Sequence, residues 1–284
     1  MKPIPYFRPA MLEEAWDIVQ RSPGARYVAG ATDLFVKMKN GQVRPDALVS
    51  LRSIPRLRGI GCGESVRIGA TTTISDIVGH EGLRGRLPLL VEAARRLGSV
   101  QIRNAATIGG NLANCSPCAD TATALLVMEA RVRLEGPNGR REMPVREYFR
   151  GPGVSCAFVG EILTDIIVEP PPEGTFVLYQ KKGRVRMDLA VASVAALLRM
   201  DAGTCVRARL AAGSCAAVPL RLVKVEALLE GRALTAELAE EAGRLAAGSV
   251  APISDIRATE AYRRRIIGAY VRRAVEAAME GGTS

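Results

Sequence analysis

The sequence predicts an α+β protein: two consecutive mixed blocks, then a domain of antiparallel strands followed by helices. Three observations carry that prediction. Apolar residues switch repeatedly between helical and strand spacing before residue 170. Pro170, Pro171 and Pro172 interrupt the chain where a strand pattern ends. Beyond them, Gly-punctuated apolar segments give way near residue 220 to helical patterns that run to the end. The implied division is residues 1–170, with subdomains of about 1–56 and 57–170, and residues 171–284.

The elements follow in order. "RPAMLEEAWDIVQR" places Leu12, Ala15, Trp16 and Val19 at helical spacing, with Pro9 suited to the first turn and Pro23-Gly24 to the stop. "ARYVAG" reads as a short buried strand, "TDLFVKMKNG" as a helix capped by Thr32 or Asp33, and "DALVSL" as a second strand. The second block opens with the strand "SVRIG" and a Thr-rich helix start. The helix "LPLLVEAARRLGS", a helix over 119–128 and the strand "ARVRLEG" follow. "EILTDIIVEP" and "TFVLYQKK" flank the prolines as strands. "DLAVASVAALLRM" and "CVRARLAAGSCA" suit antiparallel strands, and "RLVKVEALLEG", "ELAEEAGRLAAG" and "ATEAYRRRIIGAYVRRAVEAAME" suit helices. No repeat of solenoid period occurs.

Composition narrows the function. Hydrophobic residues make up 48% of 284 but aromatics only 4%, so the core must be built from Ala, Val, Leu and Ile, with helices packed closely. The net charge of +10 arises from residues spread along the chain, with few aromatics to stack on bases, which argues against nucleic acid. The densest basic run, "YRRRIIGAYVRR", reads as a solvated helix face. No signal-like leader and no apolar run of 18 residues is present, so a soluble cytoplasmic protein without membrane insertion is expected. His80 is the only histidine and reads as a surface-loop residue, which leaves little room for histidine-based catalysis or metal binding.

Two glycine turns stand out, "VAGATDL" at 28–34 and "TIGGN" at 107–111. Each follows an apolar segment and leads into a helix start. Such a turn can present successive N–H groups to an anion, and two could share a pyrophosphate. Two tight turns without a ligand would have the same pattern. "GIGCGE" at 59–64 precedes a strand instead of joining strand to helix, so it is read as a loop and not a nucleotide fingerprint. Cys115 and Cys118 form a CxxC that could be half a metal site or a redox pair. With the other four cysteines isolated, two small residues packed beside a turn is the better reading, and no metal is expected.

The ordered set "YVAGATDL", "RIGATTTISDI", "PLLVEAARRLGSVQIRNAATIGGNLANCSPCADTATALLVMEARV", "REYFRGPG", "EILTDIIVEP", "YQKKGRVRMDLAVASVAAL" and "SDIRATEAYRRRIIGAYVRRA" resembles one family. It is the FAD-binding medium subunit of the molybdenum hydroxylases, as in xanthine dehydrogenase and aerobic carbon monoxide dehydrogenase, over about residues 2–277. The resemblance implies a two-subdomain FAD-binding domain of the vanillyl-alcohol-oxidase/PCMH type, then a C-terminal antiparallel sheet with helices. It implies non-covalent FAD, with Tyr27, Val28, Ala29, Gly30, Ala31, Thr32, Asp33 and Leu34 around the pyrophosphate. Thr107, Ile108, Gly109, Gly110 and Asn111 would complete the cradle. Asp120 would hold the adenosine side, Leu163 would pack near the adenine, and Lys181 would lie near the flavin ring.

The same resemblance implies an electron-transfer subunit with no catalytic acid or base of its own. Molybdopterin would reside in a large partner and a [2Fe-2S] cluster in a small one, in a dimer of heterotrimers. Electrons would pass from the cluster through FAD to an external acceptor. Two departures matter. Ala31 stands where the family usually has glycine, so its backbone must take a shape that a Cβ permits. Cys115 and Cys118 stand where small residues are usual. The competing readings are an FAD-less structural subunit and a free-standing flavin oxidase; the latter often tethers its flavin through a histidine, and only His80 is available.

Overall fold

Three principal sheets follow one another along the chain in this computed structural model, which describes residues 3–281. The outermost parts of the two expected domains, residues 1–2 and 282–284, lie outside the described residues. The first block comprises β1 (Tyr6–Phe7), α1 (Leu12–Arg21), β2 (Arg26–Val28), α2 (Leu34–Lys39) and β3 (Leu48–Ser50). Its strands run parallel in the order β1-β3-β2, which leaves β2 as an edge. Leu12, Ala15 and Val19 share one face of α1 and pack with Val49, Leu51 and Ile54 in a small core. Glu13 and Glu14 in the first turn and Arg21 in the last suit the helix dipole.

The second block begins with β4 (Ile60–Cys62) and β5 (Val66–Gly69). Six helices follow: α3 (Ile74–Gly79), α4 (Glu81–Arg86), α5 (Pro88–Arg95), α6 (Val100–Ala105), α7 (Ile108–Ala113) and α8 (Asp120–Val127). It closes with β6 (Arg131–Gly136), β7 (Gly139–Pro144), the small hairpin β8 (Phe149–Gly151) and β9 (Val154–Ser155), and β10 (Ile162–Val168). The sheet order β4-β5-β10-β6-β7 puts β10 at the centre. The "GIGCGE" stretch, expected as a loop, forms edge strand β4. Ile60 pairs with Ile68 and packs on the core, and an edge tolerates the glycine between Ile60 and Cys62. Thr73 opens α3 with a reciprocal capping box to Asp76, as the Thr-rich start implies.

The third block holds β11 (Phe176–Lys182), β12 (Ala192–Asp201), β13 (Thr204–Gly213) and β14 (Leu220–Arg221), antiparallel in that order. Helices α9 (Val223–Leu229), α10 (Ala236–Gly248) and α11 (Glu260–Gly281) follow. Alternation along β12 decides the layering. Val194, Ala196 and Leu198 face these helices, while Ala195 and Leu197 join the core of the second block. Helix α8 fills the space between the two blocks, and all eight of its residues are buried. Its Ala and Thr residues allow that close approach. Burying Leu125, Leu126 and Val127 contributes roughly 1.5–3 kcal/mol each.

Close packing compensates for the scarcity of aromatics. A Cβ on Gly243 of α10 would lie 2.8 Å from the carbonyl oxygen of Gly268 on α11, and the reverse contact is equally short. The basic run on α11 differs from the expected solvated face at one position. Arg263 is buried, donates to the carbonyls of Val191 and Ser214, and pairs with Asp255 at 2.7 Å. A guanidinium can bond three separate groups at once, so it staples the start of α11 to the strand ends.

Candidate functional site

The first glycine turn leaves β2 and enters α2. Among the described residues, none of the main-chain N–H groups of Ala29, Gly30, Ala31, Thr32, Asp33 and Leu34 has a protein acceptor. Edge position explains part of this, because no strand lies beyond β2 to receive them. Ala31 has φ 60°, the left-handed region that glycine occupies freely, so the substitution noted in the sequence carries backbone strain. Asp33 occupies the N-cap position of α2, but its side chain makes no capping bond, nor does that of Thr32. The expected side-chain cap is absent, which keeps the main-chain donors uncovered. Successive free N–H groups around a left-handed residue form an anion nest, and this donor set fits the oxygens of a pyrophosphate.

The second turn differs from the sequence expectation. Its glycines lie inside the first turn of α7, and its amides are already committed. Ile108 donates to the Thr72 carbonyl (3.1 Å), Gly109 to the Ala70 carbonyl (2.9 Å), Gly110 to Thr107 Oγ1 (3.1 Å) and Asn111 to the Thr107 carbonyl (2.9 Å). The physical reason is that Thr107 is an N-cap and the segment is laced to the 70–73 corner. A Cβ on Gly109 would lie 2.5 Å from that of Ala70, so glycine there is a packing requirement. Gly110 is exposed, and a Cβ there would meet only Thr107 Oγ1, at 2.9 Å. This turn therefore offers an unobstructed surface instead of free amides.

Gly30 brings the two turns together: a Cβ there would come 2.3 Å from the Ala105 carbonyl oxygen, just ahead of Thr107. On the far side of α7, Asn111 Oδ1 accepts from Thr121 Oγ1 at 2.6 Å, which fixes α7 to the start of α8. Asp120 opens α8 and is buried. Its Oδ2 accepts from Lys181 Nζ at 2.8 Å, and its Oδ1 from the Tyr179 hydroxyl at 2.8 Å. Lys181 also donates to the Arg96 carbonyl at 3.0 Å, so one donor position of its ammonium remains. Burial pushes the Asp120 carboxyl up, against the pull of Lys181 and Tyr179. Burial likewise lifts the Tyr179 phenol well above its ordinary value, so it stays a donor. The resemblance assigns Asp120 and Lys181 to opposite ends of the cofactor. In the structure they form one ion pair.

Tyr27 reaches the remaining site segment, donating from its hydroxyl to the Gly160 carbonyl at 3.1 Å. Leu163 follows three residues later on β10, buried opposite Leu134. Direct contacts thus link the 27–34 loop to Ala105, just ahead of α7, on one side and to the 160–163 segment on the other. Tyr179 is the site residue that the sequence reading missed. It stands two positions before Lys181 on a strand, which puts both on one face, so "YQKK" did carry the signal.

The cysteines are free thiols. Cys115 is buried with φ 45°, and desolvation, with Cys156 nearby, pushes its thiol up to about 11; a thiolate at neutral pH is disfavoured. Cys118 is half-buried. No group of three or more His, Cys, Asp or Glu in metal-binding proximity occurs among the described residues. His80 sits half-buried between α3 and α4, with Nδ1 unpartnered. No helix among the described residues is long and apolar enough to cross a membrane.

Comparison with known proteins follows the same outline. The family model described as FAD binding domain in molybdopterin dehydrogenase matches residues 2–171. The model described as CO dehydrogenase flavoprotein C-terminal domain matches residues 177–278. The carbon monoxide dehydrogenase medium chain of Afipia carboxidovorans is 36% identical over 275 residues, 96% of each chain. The xanthine dehydrogenase FAD-binding subunit of Escherichia coli O157:H7 is 31% identical over 278 residues, 96% of this chain and 95% of the relative. A solved carbon monoxide dehydrogenase from Hydrogenophaga pseudoflava, lacking the Mo-pyranopterin moiety, is similar with TM-score 0.95 at 34% identity, over 99% of each chain.

Proposed function

We infer the function from one premise: this chain belongs to the family of FAD-binding subunits of molybdopterin dehydrogenases. It is the flavoprotein component of an oxidoreductase, and FAD is its cofactor. Within that family we propose an electron-transfer role, from a [2Fe-2S] small subunit to an external acceptor, with substrate oxidised on a molybdopterin-bearing large subunit. The proposed assembly is a cytoplasmic dimer of such heterotrimers, and the proposed division of this chain falls at residue 170.

The observation that carries the reading is the run of six unpartnered N–H donors from Ala29 to Leu34. FAD, when bound, supplies the redox centre that no side chain here provides. The chain's own part is to bind and orient. The 29–34 amides would take the pyrophosphate oxygens, and the bare surface at Gly110 would let the phosphates approach α7. Leu163 and its neighbours would receive the adenine. The Asp120–Lys181 pair, braced by Tyr179, would fix charge at one end of the cofactor, with the last ammonium N–H of Lys181 free to donate to it.

Purification of the native assembly tests this directly. The expected result is a visible flavin band, about one FAD per chain released by acid without proteolysis, and two copurifying chains, one carrying molybdopterin and one iron–sulfur. A colourless assembly would support the FAD-less structural reading, and flavin left on denatured peptide would exclude non-covalent binding.

A further inference from the structure

A second concave site lies at the opposite end of α8 from Asp120. It is a cleft of about 460 Å³, within the size range of small-molecule pockets, between the end of α8, the proline segment and the β12–β13 ladder. Met128, Leu197, Val206 and Pro171 give it apolar walls, and Arg199, Arg207 and Arg209 line it as well. Eight helical residues, about 12 Å, separate it from the Asp120 end of α8.

Its charge is not balanced from within. Arg199 and Arg207 are directly opposite each other across the antiparallel ladder, so their side chains leave the same face. Like charges in that position repel. Arg199 has no acidic partner among the described residues. Among the described residues Arg207 pairs only with Glu129, at 3.7 Å, and that one carboxylate also serves Arg209 at 3.2 Å and Arg221 at 3.6 Å. Glu169, the other acid on the lining, forms no ion pair with them. Glu129 itself is held at φ 50°, a backbone region unusual for a residue of its size, just past the end of α8. Paired guanidinium groups above an apolar wall are the donor set that recognises a phosphate ester on a flat, apolar body.

We propose that this cleft binds a nucleotide, its phosphates between Arg199 and Arg207 and its base against Met128, Leu197 and Pro171. The ligand would be additional to FAD, because none of the cofactor residues lines the cleft. The test uses FAD-loaded protein with ADP as the probe, followed by equilibrium dialysis and calorimetry. The expected result is saturable uptake of about one ADP per chain with FAD retained. Arg199→Gln/Arg207→Gln should weaken uptake about tenfold or more, with flavin content unchanged and melting temperature no lower, and Arg199→Lys/Arg207→Lys should restore part of it. No saturable uptake, uptake that expels FAD, or uptake indifferent to the double substitution would overturn the site. Inorganic pyrophosphate binding as tightly as ADP would overturn the assignment of the apolar wall.

Discussion

Lys181 Nζ lies 2.8 Å from Asp120 Oδ2, joining the first strand of the C-terminal sheet to the start of the helix at the centre of the molecule, and each side chain is only 4% exposed. Breaking such a pair leaves one buried charge uncompensated, at a cost of roughly 3–5 kcal/mol. Lys181→Met should therefore lower the urea midpoint strongly. It should also make stability fall more steeply as pH rises above the ordinary aspartate range, because the buried, unpaired Asp120 carboxyl keeps its proton in the fold while the unfolded chain releases it. Denaturation measured from about pH 4 to 8 checks both effects. With FAD bound, Asp120→Asn should raise the flavin midpoint potential and Lys181→Met should lower it, each by some tens of millivolts, about 30 mV being a tenfold change for two electrons. Equal midpoints would mean that the pair does not face the flavin.

Ala31 stores strain that glycine would not. Ala31→Gly should stabilise the chain by roughly 1 kcal/mol, or about 2–4 °C in melting temperature, since relief of the left-handed backbone outweighs the added freedom of the unfolded chain. Flavin content should stay the same. A lower melting temperature would show that the alanine is not strained.

Neighbouring glycines should fail in different ways. Gly109→Ala must displace Ala70 and should cost about 1–3 kcal/mol of stability. Gly110→Val should fold, because its only close neighbour is the Thr107 hydroxyl, yet lose FAD. Melting curves beside flavin-to-protein absorbance ratios separate the two outcomes; full flavin in a folded Gly110→Val protein would remove Gly110 from the cradle.

Acid should open the joint between the first two blocks. Arg56 bonds Glu135 through both carboxylate oxygens, at 3.0 and 2.6 Å. Burial would raise the Glu135 carboxyl, but Arg56, the Thr164 hydroxyl and the Arg133 charge outweigh it and hold it below the ordinary 4.5. The stability it lends is complete above that value and is lost as pH falls through the lower folded value. Glu135→Gln should weaken the fold at pH 7 and flatten the decline in urea midpoint between about pH 5 and 3. An unchanged acid slope would exclude this clamp.

Much of this architecture is legible in local sequence. The spacing of Leu12, Ala15 and Val19, the Thr73–Asp76 box and the alternation in β12 each act within a few residues. The parts that were not legible depend on partners far along the chain. Edge strand β4 exists because Ile68 is there to pair with Ile60, and Arg263 is buried because Val191 and Ser214 present carbonyls to it. In the site, the two glycine turns look alike as strings. Only the neighbouring 70–73 corner, which takes the amides of Ile108 and Gly109, together with the Thr107 cap, which takes those of Gly110 and Asn111, distinguishes the second turn from the uncovered amides of 29–34.

That distinction supplies the most direct test. Backbone hydrogen exchange, followed by mass spectrometry with and without FAD, reads each turn separately. If the 29–34 amides hold the pyrophosphate, the peptide spanning them should exchange fast without FAD and become strongly protected with it. The peptide over 108–111, whose amides are already bonded, should change far less. Flavin bound with no protection at 29–34, or protection gained chiefly at 108–111, would contradict the account.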